Sequence, residues 1–270
     1  MRTRLSQYFR LFWMLAFVVF PVAAKQDQLA TSLAEQAYYR MMESPFSVTA
    51  LSQAGRELQR AAAIDDQNSW VELARSELAL KQGYLSGGGF RAKSYQQQAL
   101  STALQHARAA VAIAPTESQA LSQLAKILIV SGEINQSLPY IVQALQANQA
   151  TFSPWYLQTV LAVKRKATDR FPALYVEAEK YAIRPYQKSA LLWEKISFSR
   201  IIKDVAAEET SYQQLISINP DSAHAHGNYG AFLLRQQRVA EAIKVLEHAV
   251  SLEAYPLAVN LLREARTTQP

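Results

Sequence analysis

The chain has 270 residues, is 50% hydrophobic and carries a formal charge of +6. It has only eight glycines and ten prolines, which argues against a loop-rich or all-β protein, and its Ala, Leu, Gln, Glu, Lys and Arg are helix formers. Cysteine is absent, which excludes disulfides, thiolate metal sites, cysteine nucleophiles and a lipoprotein anchor.

The first segment reads as an address. MRTRLSQYFR is basic, LFWMLAFVVF is apolar, and PVAA ends in small residues. This is the three-part pattern of a secretory signal peptide, with Val22 and Ala24 placed for cleavage before Lys25. The apolar stretch from Leu11 to Ala24 is shorter than the ~20 residues of a membrane span. Residues 1–24 are therefore expected to be removed on export to a bacterial periplasm. Their loss takes away Arg2, Arg4 and Arg10 and leaves 25 basic against 22 acidic residues, a net of +3. That balance does not suit a nucleic-acid binder, and the short Lys164-Arg165-Lys166 run reads as the end of a helix.

From residue 25 onward the apolar spacing is helical. A first helix is expected around Gln26–Met42, ending at Ser44-Pro45, followed by one carrying Ala54, Leu58 and Ala61. Trp70, Leu73 and Ala74 open the next, and its partner runs through Ala103, Ala107 and Ala110 to Pro115. Leu121, Leu124, Ala125, Leu128 and Gly132 precede Ser137, Ile141 and Ala144. Trp155 opens a unit whose second helix is irregular after Phe171-Pro172, and Leu192 opens one ending at Asn219-Pro220. Last come His226, Tyr229, Gly230 and Leu233, then Ala242, Leu246 and Ala249, with Pro256–Arg266 as a capping helix.

The anchors at 70, 121, 155, 192 and 226 are separated by 51, 34, 37 and 34 residues. Large–Leu–Gly–Tyr on one helix and small–large–small on the next, at a period of 34, resembles the tetratricopeptide repeat. The resemblance is clearest over 118–150 and 222–253. It implies an all-α solenoid of about six antiparallel helix pairs, a right-handed superhelix closed by the C-terminal helix.

The long first step contains GYLSGGGFRAKSY, an insertion at 84–97 within one pair. It lacks the spacing and the preceding strand of a phosphate loop. It reads as a flexible hairpin loop, either tolerated at the surface or touching a ligand or partner through Phe90 and Arg91, and replaceable by a short turn without loss of the fold.

The chemistry of an enzyme is not apparent. His224 and His226, two apart on a helix, do not form a chelating pair, and neither a metal nor a cofactor is expected. Gly-x-Ser-x-Gly, His-Glu-x-x-His and dinucleotide motifs are missing. Glu208-Glu209 reads as a pair of acids at a helix start, suited to the dipole.

The resemblance further implies a groove lined by the first helices. Carried over position by position, it selects Val71, Arg75, Gln119, Ser122, Lys126, Ile129, Tyr156, Lys164, Trp193, Arg200, His224, Leu234 and Arg235. Arg75, Lys126, Lys164, Arg200 and Arg235 place one cation in each repeat with few acids beside them, which suits an acidic protein or peptide partner. The asparagines of the family's carboxylate clamp are missing from these positions. The expected function is a non-enzymatic periplasmic scaffold for envelope assembly or secretion. The alternatives are a small-ligand binder or enzyme with Gly87–Lys93 as a lid, and a structural part of a larger complex.

Overall fold

The computed structural model describes residues 24–45, 47–85 and 89–267. The expected signal peptide lies outside them except for Ala24, as do Gly87 and Gly88. Thirteen α-helices are present among the described residues: α1 (24–43), α2 (Val48–Ile64), α3 (Ser69–Gln82), α4 (Gln97–Ile113), α5 (Ser118–Ser131), α6 (Ile134–Ala147), α7 (Phe152–Lys164), α8 (Phe171–Lys180), α9 (Pro185–Ile202), α10 (Val205–Ile218), α11 (Ala223–Arg235), α12 (Val239–Leu252) and α13 (Pro256–Thr267). These are the expected six pairs and a final helix. None of them is long and apolar enough to cross a membrane. The chain divides into two compact units, one up to Leu157 and one from Gln158.

In unit 1, α3 packs on α4, α5 on α6, and α4 on α5. Alanines fill the tight crossings: Ala54, Ala61, Ala74, Ala103, Ala107, Ala110 and Ala144 are all fully buried. Side-chain caps start two of these helices, Ser47 accepting from the Ala50 N–H and Asn68 from those of Trp70 and Val71. Asn68 also donates to Asp27 and Thr31 of α1, so the cap ties α3 to α1.

In unit 2, α9 packs on α10, α11 on α12, and both α11 and α12 on α13. The expected irregular helix is the ten-residue α8, which has a proline in its first turn. Phe171 anchors it by stacking on Phe198, with ring centroids 4.0 Å apart. Gly230 allows α11 to approach α12, because a Cβ there would lie 2.5 Å from Leu246.

The turn inside a pair is built the same way four times. Gly132, Lys166, Lys203 and Gln237 adopt φ of 89, 54, 60 and 60°. After each, the next N–H returns to a carbonyl five residues back: Glu133 to Leu128, Ala167 to Ala162, Asp204 to Ser199 and Arg238 to Leu233. This left-handed stop satisfies carbonyls at the helix end, yet only one of the four residues is glycine. The four recur at steps of 34, 37 and 34, the interval of the anchors.

The α3–α4 pair replaces this stop with the insertion, which corrects the flexible-loop reading for its described residues. Leu85 N–H donates to Ser94 and Gln96 N–H to Gly83, both at 2.8 Å. Tyr84 pairs with Tyr95, and the Tyr95 hydroxyl donates to the Gly89 carbonyl at 2.8 Å. A short 3-10 turn, Ala92–Ser94, buries Ser94. Phe90, Ala92 and Tyr95 pack against the cluster containing Leu80, Leu100, Leu124 and Leu128. A Cβ on Gly83 would lie 2.0 Å from that of Ala99, so the chain leaves α3 hard against α4.

Candidate functional site

In unit 1 the groove positions are mostly spent on the fold itself. Val71, Ser122 and Ile129 are buried. Gln119 is half-buried and bridges two helices, donating to the Tyr38 hydroxyl and accepting from Ser153. Tyr156 stacks on Phe152 and is covered by Phe90 of the insertion, 6.0 Å away between centroids. Phe90 is thus turned inward, while Arg91 and Lys93 stay exposed.

The two unit 1 cations have acids beside them, contrary to the sequence reading. Arg75 bonds Glu72 at 2.6 Å and Asp66 at 2.8 Å. The other Glu72 oxygen meets His106 Nδ1 at 2.7 Å. Lys126 reaches Glu77, a carboxylate with no solvent exposure, at 2.5 Å. Gln123 donates to the same oxygen, and Lys81 stands 3.5 Å from the other. Burial alone would push the Glu77 carboxyl up, but Lys126 and Lys81 outweigh it and hold it at about 2. Lys126 is therefore the half-buried counter-ion of a buried carboxylate.

In unit 2 Arg200 and Arg235 also have an acid beside them, again contrary to the sequence reading, but their surroundings differ. Trp193 of α9 and His224 of α11 meet edge to face with centroids 5.2 Å apart, and His224 lies 5.0 Å from Tyr255. All three are half-buried. Gly227 makes room for Tyr255, since a Cβ would lie 2.8 Å from its ring. Burial lowers the His224 imidazole to about 4, so it is neutral at pH 7. Trp193 also touches buried Tyr212, whose hydroxyl accepts from Arg200 at 3.2 Å. Arg200 and Arg235 converge on Oε1 of Glu208, at 2.8 and 2.6 Å. Glu208 is 6% exposed, while the two arginines are 53% and 44% exposed. Buried Tyr212 links the aromatic row to the two guanidiniums, and the partly exposed groups around it make up the unit 2 patch.

Lys164 is exposed at the end of α7. Burial pushes the Glu194 carboxyl up to about 7, against the opposing charge of Lys164. His226 is packed, as its anchor position implied, with Nε2 2.8 Å from the Pro220 carbonyl. Among the described residues no three His, Asp or Glu side chains are arranged to hold a metal ion.

Sequence reasoning did not find Glu208 or Tyr255 as parts of this patch. Glu208 is the shared counter-ion of two helices rather than only a dipole acid. Tyr255 had a signal, since Trp193, His224 and Tyr255 follow one another at intervals of 31.

No protein-family model matches the sequence, and no curated protein matches it. Solved structures do resemble it. A chain of the APC/C hetero-tetramer Cut9-Hcn1 aligns over 90% of this chain with a TM-score of 0.63 at 14% identity, and this chain covers 46% of that one. The human IFIT1 dimer with PPP-AAAA aligns over 76% with a TM-score of 0.60 at 14% identity, with 47% of its length covered. TTC0263, a thermophilic tetratricopeptide-repeat protein of Thermus thermophilus, gives 0.55 over 74% of this chain and 99% of its own, at 16% identity. The fold is that of the tetratricopeptide repeat. The repeat's first helices are α1, α3, α5, α7, α9 and α11, and the unit 2 patch is built from the first helices α9 and α11, Tyr212 and Glu208 of α10, and Tyr255. This chain spans less than half the length of the Cut9-Hcn1 and IFIT1 chains.

Proposed function

We propose that the protein is an exported scaffold of the bacterial periplasm that holds a segment of a partner protein and has no catalytic activity, in envelope assembly or secretion. The observation that carries the binding role is the unit 2 patch. Trp193, His224, Arg200 and Arg235 occupy the groove positions that the repeat pattern implies, and they lie close together while staying partly open to solvent. Export is supported by the basic, apolar and small-residue stretches of residues 1–24. In this reading the partner is protein rather than nucleic acid, in keeping with the +3 charge of residues 25–270.

Two measurements test it. Intact mass of the periplasmic fraction should show a chain beginning at Lys25; a membrane-bound full-length species would refute cleavage, and a chain found only in the cytoplasm would refute export. A photo-crosslinking residue at His224 should capture a discrete partner segment in cells, while one at exposed Gln213 on α10 should not. Equal capture from both positions, or none from His224, would refute the binding role.

A further inference from the structure

Resting on that reading, the geometry points to what the partner segment must carry: we infer that unit 2 takes an extended segment in fixed register, with an aromatic or proline side chain on Trp193 and His224 and a carboxylate about three residues further along on Arg200 and Arg235.

The spacing comes from α9. Trp193 and Arg200 are seven residues apart, which returns to the same face after two turns and covers about 10 Å at ~1.5 Å per residue. An extended chain advances about 3.3 Å per residue, so three residues bridge that span. Buried Tyr212 lies beneath the interval and fixes its two ends, touching Trp193 with its ring and Arg200 with its hydroxyl. The aromatic end presents no charge of its own, because His224 is neutral. Trp, His and Tyr side by side suit a flat apolar side chain, and aromatic-lined grooves take proline-containing extended segments for the same reason.

The cationic end has donors to spare. All three arginine bonds to Glu208 fall on its Oε1, from Nε and Nη2 of Arg200 and from Nη2 of Arg235. Arg200 Nη1, Arg235 Nε and Arg235 Nη1 have no hydrogen-bond partner among the described residues. Glu208 is a single charge against two, and the next acid on α10, Glu209, is taken by Arg238 and Tyr229. A second carboxylate, brought by a partner, fits the unused edges of the two forks.

The test uses fluorescein-labelled twelve-residue Gly/Ser peptides with one Trp and one Glu, titrated into the purified protein by fluorescence polarisation. The Trp-to-Glu separation is set at one, three or eight residues. Separation three should bind at least tenfold more tightly than one or eight. Arg200→Gln and Arg235→Gln, each of which leaves Glu208 one arginine, should lose that preference while keeping wild-type helicity and melting. Equal binding at all separations, or an unchanged preference in both variants, would overturn the register. If no peptide binds while His224 still crosslinks a partner in cells, this inference fails and the scaffold reading stands. If neither occurs, both fail. Binding of 5′-triphosphorylated tetra-adenylate that both arginine variants abolish, with no peptide bound, would overturn it in favour of a nucleic-acid ligand.

Discussion

The two units use the same repeat positions for opposite ends. Lys126 and Arg200 are both cations selected on first helices. Lys126 is 19% exposed and closed onto a carboxylate with no exposure. Arg200 is 53% exposed and shares its carboxylate with Arg235. Tyr156 lies beneath Phe90 of the insertion, whereas Trp193 and His224 stand beside Tyr212 and Tyr255 and stay half open to solvent. Both acids are buried, so a cation in the right register marks a helix face, and the exposure of the cation itself, 19% for Lys126 against 53% for Arg200, separates the two sites.

The two acids separate the units most directly. Glu77→Gln leaves Lys126 and Lys81 facing a buried neutral group and should cost about 3 kcal/mol in urea unfolding. Glu208→Gln frees two arginines that can turn to water and should cost only about 1 kcal/mol. Equal losses would mean that exposure does not separate the two sites. A Lys126→Glu variant places a second acid against Glu77, so it belongs with the first group and reports on folding rather than on partner binding.

Replacing Leu85–Ser94 with a short polar turn should lower stability by about 2 kcal/mol, because Phe90 and Ala92 leave the Leu80–Leu124 cluster. An unchanged denaturation midpoint would restore the surface-loop reading.

Acid and base sharpen the contrast. Glu77 is held at about 2, below its ordinary 4.5. Its stabilisation is complete above about pH 4.5 and is lost as pH falls toward 2, so the gap between wild type and Glu77→Gln should narrow over that range. Glu194 is raised to about 7, so its stabilisation is complete below 4.5 and is lost as pH rises through 7. Melting of Glu194→Gln should therefore improve relative to wild type between pH 5 and 8. His224, lowered from 6.5 to about 4, acts in the other direction, its contribution being lost as pH falls through 4. The two slopes oppose one another between about pH 4.5 and 6.5, so removing either group alone should tilt the pH profile there in opposite directions.

The smallest effect is expected at the turns. Lys203→Gly and Gln237→Gly remove a left-handed strain that Gly132 does not carry, and each should raise stability by about 0.5 kcal/mol in thermal melts. Gly132→Ala should lower it by about 1 kcal/mol.

The helix pairs were legible because small and large residues recur at fixed steps, and helices of 3.6 residues per turn convert that recurrence directly into packing faces. Even the irregular α8 announced itself through Phe171-Pro172. The candidate site was legible only in part. Position along a helix gives the face a side chain is on, and so it found Trp193, His224, Arg200 and Arg235. It says nothing about an acid on another helix, and so it missed that Glu77 captures Lys126 and that Glu208 joins Arg200 to Arg235. The insertion misled for a related reason. Its glycines suggested freedom, but Tyr84, Phe90 and Tyr95 supply rings and backbone pairing that three glycines do not cancel.

Glu208 has a consequence for how unit 2 comes apart. Repeat arrays can open one module at a time, because each module touches only its neighbours. Here a carboxylate on α10 holds Arg200 from α9 in its own module and Arg235 from α11 in the next. When the α11–α12 module frays, this carboxylate, 6% exposed, keeps Arg200 but loses Arg235. Fraying from the C-terminal end should therefore cost one charge-assisted contact at this residue, and amide exchange across α9 through α12 should fall off less steeply than in a chain of independent modules.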